Sequence, residues 1–143
     1  MAIRSVKHVA ISTGDLDRSV AFWSEFGLVE TKRWAWPRGV DTVNSLVGLA
    51  DSAARAALLE GLGTGVEIFE FEHPVAGADD RSVHRQGYTH VCFEVEGLDA
   101  EIERLRGVGM TFWADPVTDG AGRRLVYGHD PDGNVIELVE SFR

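Results

Sequence analysis

The sequence is poor in residues on which several classes of protein depend. Its 143 residues include one cysteine, Cys92, and four prolines. One cysteine forms neither an internal disulfide nor a cysteine-based zinc cage, so a metal site here must use histidine and carboxylate. Four prolines and the lack of any low-complexity tract exclude a rigid linker and a disordered chain. With 44% hydrophobic residues, we expect one ordered domain, residues 1–143.

Positive charge and long apolar runs are also scarce. Fourteen Lys and Arg face 23 Asp and Glu, a net charge of −9, and no basic stripe is present. This excludes nucleic acid as a partner. No stretch reaches the ~18 apolar residues of a membrane span, and the N-terminal region lacks a signal-peptide run. We therefore expect a soluble cytoplasmic protein with no membrane partner and a small-molecule substrate.

The chain contains an internal repeat. Residues 8–28 align without gaps with residues 90–110, and five of these 21 positions are identical. In each copy an alternating strand pattern gives way to a helix with one apolar stripe. A second match, between residues 63–70 and 133–140, places a final strand in each half. Each half is therefore predicted to be βαβββ, with half-modules 1–72 and 88–143 joined by a linker, 73–87.

The predicted fold class is α+β, with paired βαβββ modules forming curled mixed sheets around a concave metal-binding cleft. Alternation puts apolar residues of the first and last strand of each half on the side that the helices cover. Four side chains then share the opposite face: His8, Glu67, His90 and Glu137. Two imidazoles and two carboxylates form an N2O2 set suited to a divalent metal.

Neighbouring residues leave alternatives at this site. A one-residue slip in register would replace Glu67 with Glu70 and Glu72, which we otherwise interpret as solvated or helix-edge charges. Cys92 shares the face of His90 and is interpreted as a small buried thiol, not a nucleophile. The remaining histidines have no ligating repeat partner; we interpret two as surface loop residues and one as a strand-end residue: His73, His84 and His129.

Aromatic residues suggest an apolar pocket beside the metal. Trp34 and Trp36 alternate on one face of the strand after the first helix, and Trp113 is predicted in the corresponding strand of the second half. We assign these three residues to the substrate pocket, against the alternative that they are core residues. Arg124 joins them as a partner for a substrate carboxylate or phosphate, although surface arginines have many acidic neighbours in this chain.

These features resemble the vicinal oxygen chelate superfamily, which includes glyoxalase I, methylmalonyl-CoA epimerase, extradiol dioxygenases and the bleomycin and fosfomycin resistance proteins. The resemblance rests on the His-Val-Ala-Ile opening at His8, the helix from Asp15 to Trp23, the Asp130-Pro-Asp-Gly-Asn-Val-Ile-Glu137-Leu segment and the paired halves. It covers almost the whole chain. The family pattern implies metal binding by His8, Glu67, His90 and Glu137.

The resemblance implies proton-transfer chemistry. Extradiol dioxygenases use two His and one Glu on iron, and Glu67 would occupy a position that they keep open. A lactoylglutathione lyase-like or methylmalonyl-CoA epimerase-like lyase or isomerase is therefore expected, abstracting a proton α to a carbonyl through a metal-stabilised enediolate. By resemblance to glyoxalase I the base is Glu137, with Glu67 assisting. No residue set specific for glutathione is present.

Several alternatives remain open from the sequence. The expected cofactor is a divalent metal ion: Zn, Ni, Co, Mn, Mg or Fe. A metal-independent, resistance-type binding protein and an iron-dependent extradiol ring-cleaving dioxygenase are the alternative functions, because one scaffold hosts many activities. One βαβββ half-module alone leaves exposed sheet edges and must pair with a second half. We expect a homodimer, with the site built within one chain or between two.

Overall fold

The computed structural model describes residues 3–77, 82–84 and 86–141. The chain divides into two compact units after Gly77, within the predicted linker 73–87. Part of that range, residues 78–81 and 85, lies outside the described residues. The last strand of the first unit extends through His73, one residue into the predicted linker.

The first unit is a four-stranded mixed sheet with two helices. Its sheet has the strand order β1-β4-β3-β2, with β1 parallel to β4 and the other pairs antiparallel. Helix α1 begins after Asp15, whose side chain accepts a hydrogen bond from the Arg18 backbone N–H. In chain order the elements are β1 Val9–Ser12, α1 Leu16–Ser24, β2 Val29–Trp36, α2 Asp41–Val47, β3 Ala53–Gly61 and β4 Thr64–His73.

The second unit repeats this plan. Its sheet has the order β5-β9-β8-β6, β7 pairs with β8, and β5 is parallel to β9 as β1 is to β4. The predicted α+β class with mixed sheets is confirmed, whereas α2 and the short β7 were not predicted. In chain order the elements are β5 Val91–Glu94, α3 Leu98–Gly107, β6 Thr111–Phe112, β7 Val117–Thr118, β8 Arg124–His129 and β9 Val135–Glu140.

Helices α1 and α3 each cover one face of their own sheet, as the apolar stripes predicted. Leu16 and Trp23 of α1 are fully buried, and so are Leu98 and Leu105 of α3. The covered strand residues pair in the same register in both units: Val9 with Val66, Ile11 with Ile68, Val91 with Ile136 and Phe93 with Leu138. The faces opposite α1 and α3 therefore carry the odd positions of β4 and β9.

The turn before β9 is rigid. Gly133 has φ +85°, which only glycine adopts without strain. The buried Asp130 carboxylate accepts hydrogen bonds from the backbone N–H groups of Asp132 and Asn134 and from Asn134 Nδ2. This network fixes the start of the strand that carries Glu137. In the part of the chain that the structure describes, no helix is both long and apolar enough to cross a membrane.

Gly128 supports a stability prediction because β6 packs directly against it. A Cβ at this position would overlap the Thr111 carbonyl oxygen and lie 3.1 Å from the Phe112 ring. Because a backbone oxygen cannot swing aside, Gly128→Ala is expected to lower the free energy of unfolding by at least about 2 kcal/mol. Urea denaturation measures this change.

The control is Gly120→Ala in the same unit. No heavy atom of the described residues outside its chain neighbours lies within 4 Å of a Cβ built there, so a change within about 0.5 kcal/mol is expected. Equal stability of the two variants would contradict the close pairing of β6 with β8.

Candidate metal centre

The first unit brings His8 and Glu67 together on the face opposite α1. His8 directly precedes β1, and Ala10, two residues further on, is paired with Glu67 of β4. The His8 Nε2 atom lies 3.3 Å from Glu67 Oε2, and the side chains are 37% and 19% exposed. The predicted register of β4 is therefore the one observed, and it puts Glu67 beside the imidazole.

The second unit has an equivalent pair. His90 directly precedes β5, and Cys92 is paired with Glu137 of β9, as Ala10 is with Glu67. The His90 Nε2 atom lies 3.0 Å from Glu137 Oε2, with the side chains 26% and 16% exposed. The two parts of the repeat thus place a histidine and a glutamate in the same relation, in each unit separately.

The surroundings of Glu137 are more polar than those of Glu67. Tyr127 of β8 is paired with Glu137, whereas the corresponding partner of Glu67 is Leu58 of β3. Burial raises the pKa of the Tyr127 hydroxyl, and the negative charge of Glu137 and a hydrogen bond to this carboxylate raise it further. Loss of hydration around the sulfur, followed by hydrogen bonding to the same carboxylate, raises the pKa of the Cys92 thiol to about 11. Both groups are therefore protonated at neutral pH.

Cys92 differs in one respect from its prediction. It lies exposed on edge strand β5, not buried as expected. Its raised pKa keeps the thiol protonated, which agrees with the interpretation that it is not a nucleophile.

Each His–Glu pair fits two adjacent ligands of one cation. Ligands bonded at about 2.1 Å stand roughly 3.0 to 3.4 Å apart when they are neighbours in octahedral or tetrahedral coordination. The observed separations of 3.3 and 3.0 Å lie in this range. Among the residues that the structure describes, no group of three or more His, Cys, Asp or Glu side chains is placed to hold a metal. Each pair alone would therefore supply two candidate ligands.

The predicted tryptophans lie on the same faces as these pairs. Trp34 and Trp36 project with Glu67 from the first sheet, where Trp36 is buried and its indole N–H donates to Ser52 Oγ at 3.0 Å. Trp113 follows β6 directly, is half exposed, and stacks on Tyr127 with ring centroids 6.0 Å apart. Trp36 is therefore chiefly a core residue, whereas Trp34 and Trp113 are partly accessible.

Arg124 lies on the wrong face for the predicted pocket. It is paired with Glu140 on the helix side of the second sheet, and its guanidinium contacts Asp99 of α3 at 2.6 Å and Glu140 at 3.5 Å. We therefore no longer assign Arg124 to the pocket. The repeat explains this position, because Arg55 and Glu70 form the same contact in the first unit.

Glu70 has a structural role, as the helix-edge interpretation predicted. Its carboxylate accepts a hydrogen bond from the Leu16 backbone N–H at the start of α1, at 3.0 Å. Glu140 accepts equivalent bonds from Gly97 and Leu98 at the start of α3. A carboxylate at a helix N-terminus is favourable because it satisfies free N–H groups.

Arg124→Met is expected to lower the melting temperature slightly while leaving metal affinity unchanged within about twofold. The Arg124 hydrogen bond lowers the pKa of Asp99 below its ordinary value of 3.8. The contribution of this pair to stability is therefore complete well above pH 3.8 and is lost as the pH falls through the lowered pKa. Thermal melts of both proteins should differ at pH 7 and converge in acid. A loss of metal affinity in the Arg124→Met variant would contradict the conclusion that Arg124 lies away from the candidate metal site.

Sequence reasoning missed three residues of these faces. Phe69 and Phe71 follow Glu67 at i+2 and i+4 of β4, so the strand alternation could have identified them. Tyr127 stands beside Glu137 with its ring edge-on to His90, the centroids 5.1 Å apart. Alternation in β8 places Tyr127 on the face opposite the buried Val126, but its position beside Glu137 follows only from the pairing of β8 with β9.

A sequence model shows the class of protein. The model of the Glyoxalase/Bleomycin resistance protein/Dioxygenase superfamily matches residues 5–138, a range that includes the His–Glu pair of each unit. The chain belongs to this superfamily.

Individual relatives show the range of activities in the family. The chain is 26% identical to lactoylglutathione lyase from Schizosaccharomyces pombe over 97% of its own length, but spans only 48% of that protein. It is 32% identical to 2-epi-5-epi-valiolone epimerase from an Actinomyces species, covering 94% of this chain and 78% of that protein.

Solved structures support the fold. A glyoxalase family protein from Bacillus cereus superposes with a TM-score of 0.86 at 26% identity, covering 100% of this chain and 99% of that one. The fosfomycin resistance protein FosX from Listeria monocytogenes, crystallised with Mn(II) and sulfate, gives a TM-score of 0.64 at 17% identity, covering 98% and 94%. This second likeness concerns the fold alone.

Proposed function

We propose that this chain is a metal-dependent lyase, isomerase or epimerase that removes a proton α to a carbonyl. The observation that carries the proposal is the repeated His–Glu pair, with N–O separations that suit adjacent metal ligands. The similarity of the chain to a lactoylglutathione lyase and to an epimerase supports it.

Four residues would hold the metal: His8, Glu67, His90 and Glu137. A divalent cation bound there would supply Lewis-acid stabilisation of the negative charge that develops on the substrate oxygen. Neutral imidazoles and carboxylates suit several borderline and hard cations, so the donor set favours Zn, Ni, Co, Mn, Mg or Fe without choosing among them.

The carboxylates supply the second part of the chemistry. Glu137 would accept the proton from the α carbon, and Glu67 would assist. Glu137 suits this task because β9 begins at a hydrogen-bonded turn, which gives the carboxylate a fixed position relative to His90. Its 16% exposure limits competition from water for the proton.

Metal loading followed by isotope exchange tests the proposal. The protein is stripped with a chelator and reloaded separately with each of the six cations, and binding is measured by calorimetry. The loaded protein is then incubated in D2O with candidate 2-oxo compounds and thioesters, and deuterium uptake at the α carbon is followed by NMR. We expect one metal site and uptake with at least one compound class.

Other outcomes would support the alternative functions. A tight complex with an unchanged small molecule that resists chelator would indicate a sequestering protein. Iron-specific oxygen consumption with catechols would indicate a ring-cleaving dioxygenase. If the protein shows neither stoichiometric metal binding nor deuterium uptake, the proposed enzyme function is contradicted.

We also propose that the protein is a homodimer. The strand orders leave β1 and β2 at the edges of one sheet and β5 at an edge of the other. Open edges are normally covered by pairing or assembly. Light scattering at micromolar concentration should give twice the 15.7 kDa chain mass, and a monomeric mass would contradict the proposal.

A further inference from the structure

The face that carries Glu67 continues into a layer of aromatic side chains. On this face Glu67 lies in one row with Leu58 and Lys32, across three neighbouring strands. The next row, two residues along the strands, is Phe69, Ala56 and Trp34, and the third row is Phe71, Ala54 and Trp36. The aromatic rows therefore begin about 7 Å from the row of the candidate ligand.

The two alanines explain how the rings meet. Ala54 and Ala56 have no side-chain atoms beyond Cβ, so rings from both neighbouring strands close over them, and both alanines are buried. Trp34 and Phe69 meet edge to face with centroids 6.2 Å apart at 87°. Phe69 and Phe71 stack at 5.8 Å. The result is a continuous aromatic layer of four rings.

Part of this layer is accessible. Helix α2 packs Val43 and Val47 against it, whereas Trp34, Phe69 and Phe71 remain only half buried. The flexible Lys32 side chain places its ammonium 5.1 Å from the Trp34 ring centroid. The face of the indole nearest to the Glu67 row therefore meets a movable side chain, which an entering ring can displace.

We propose that the substrate carries an aromatic ring joined to the reacting carbonyl, and that this ring packs against Trp34 and Phe69. The inference rests on the proposed function, because the carbonyl end is placed at the ligand Glu67. One phenyl ring spans the step between the Glu67 row and the Phe69 row. Edge-to-face and stacked contacts with these rings favour an aryl group over a small alkyl group.

Two simple chelators test this inference on the metal-loaded protein. Benzohydroxamic acid and acetohydroxamic acid present the same two oxygens to a metal and differ only in phenyl against methyl. Calorimetry and tryptophan fluorescence give the Kd of each. We expect benzohydroxamate to bind at least about 10-fold more tightly.

Two substitutions locate the ring. Trp34→Leu and Phe69→Leu each keep an apolar side chain and remove one aromatic ring. Each variant should bind benzohydroxamate at most about threefold more tightly than acetohydroxamate, with the acetohydroxamate Kd unchanged. The control is Phe22→Leu, because Phe22 is a buried aromatic residue of α1 on the opposite side of the sheet. This variant should keep the wild-type preference for benzohydroxamate. Thermal melts identify any variant that does not fold, and the other variant then carries the test.

The outcomes separate this inference from the proposed function. Metal binding with equal affinity for both hydroxamates would overturn the aromatic substrate and leave the metal-dependent enzyme standing. A preference that survives both substitutions would overturn the assignment to Trp34 and Phe69. Failure to bind metal would overturn the proposed function and, with it, this inference.

Discussion

Glu137→Gln is expected to lower turnover by at least about 100-fold while the protein still binds metal. Glutamine keeps the size of the side chain and one coordinating oxygen, but it cannot accept a proton at neutral pH. A general base contributes roughly 10²- to 10⁴-fold to a rate, so its loss affects kcat far more than binding. The rate of deuterium exchange and the metal Kd, measured on the same protein, separate the two effects.

Glu140→Gln is the matched control, since the same change is made three residues along the same strand. Glu140 lies on the helix side, where it accepts hydrogen bonds from the start of α3. We expect this variant to retain turnover within about twofold and to lose only some thermal stability. Equal turnover losses in the two variants would mean that the effect of Glu137→Gln arises from damage to the sheet.

Glu67→Gln should lose less turnover than Glu137→Gln. The neighbours of the two carboxylates make this comparison informative, since Tyr127 and Cys92 stand beside Glu137, and Leu58 and Ala10 stand beside Glu67. If Glu67→Gln is inactive and Glu137→Gln turns over normally, the carboxylate with apolar neighbours is the base.

The arrangement within each unit could be predicted because two periodic signals agree in both copies. Alternation at Val9 and Ile11, followed by the stripe of Leu16 and Trp23, requires one covered face and one open face. His8 then has to lie opposite the helix. The same reasoning places His90 opposite the helix of the second copy, and the structure has both histidines on those faces beside a glutamate.

The same alternation could have prevented the error at Arg124. Arg124 and Val126 lie two residues apart in β8 and so share a face, and Val126 is buried. We assigned Arg124 to the pocket from its charge alone. Charge indicates that an arginine needs a partner, but the partners Asp99 and Glu140 are determined by strand pairing and helix position.

Other features depend on contacts that sequence patterns do not encode. Helix α2 spans only seven residues, and the residue before it, Val40, makes no side-chain capping hydrogen bond. Its anchor is tertiary, because Asn44 accepts a hydrogen bond from Ser52, which in turn accepts one from Trp36. Likewise, the register between β2 and β3 shifts between Glu30 and Lys32, and such a bulge leaves no periodic signal.

His90→Ala is expected to abolish metal binding with only a modest loss of stability. The imidazole lies on the open face of its sheet, 3.0 Å from Glu137, so its removal leaves no cavity in the core beneath α3. Removing even a supporting partner of a metal ligand typically costs 10- to 100-fold in affinity. Calorimetric titration with the cation that loads the wild-type protein measures the loss, and a Kd within about 10-fold of wild type would contradict the assignment.

Two further histidine variants complete this test. His84→Ala removes an exposed imidazole that contacts Ser82, and it should leave metal affinity unchanged. His8→Ala should abolish binding as His90→Ala does, because the proposal requires ligands from both pairs. If only His90→Ala loses the metal, the pair in the second unit holds the cation without His8, and the carboxylate at Glu67 is free to act on the substrate alone.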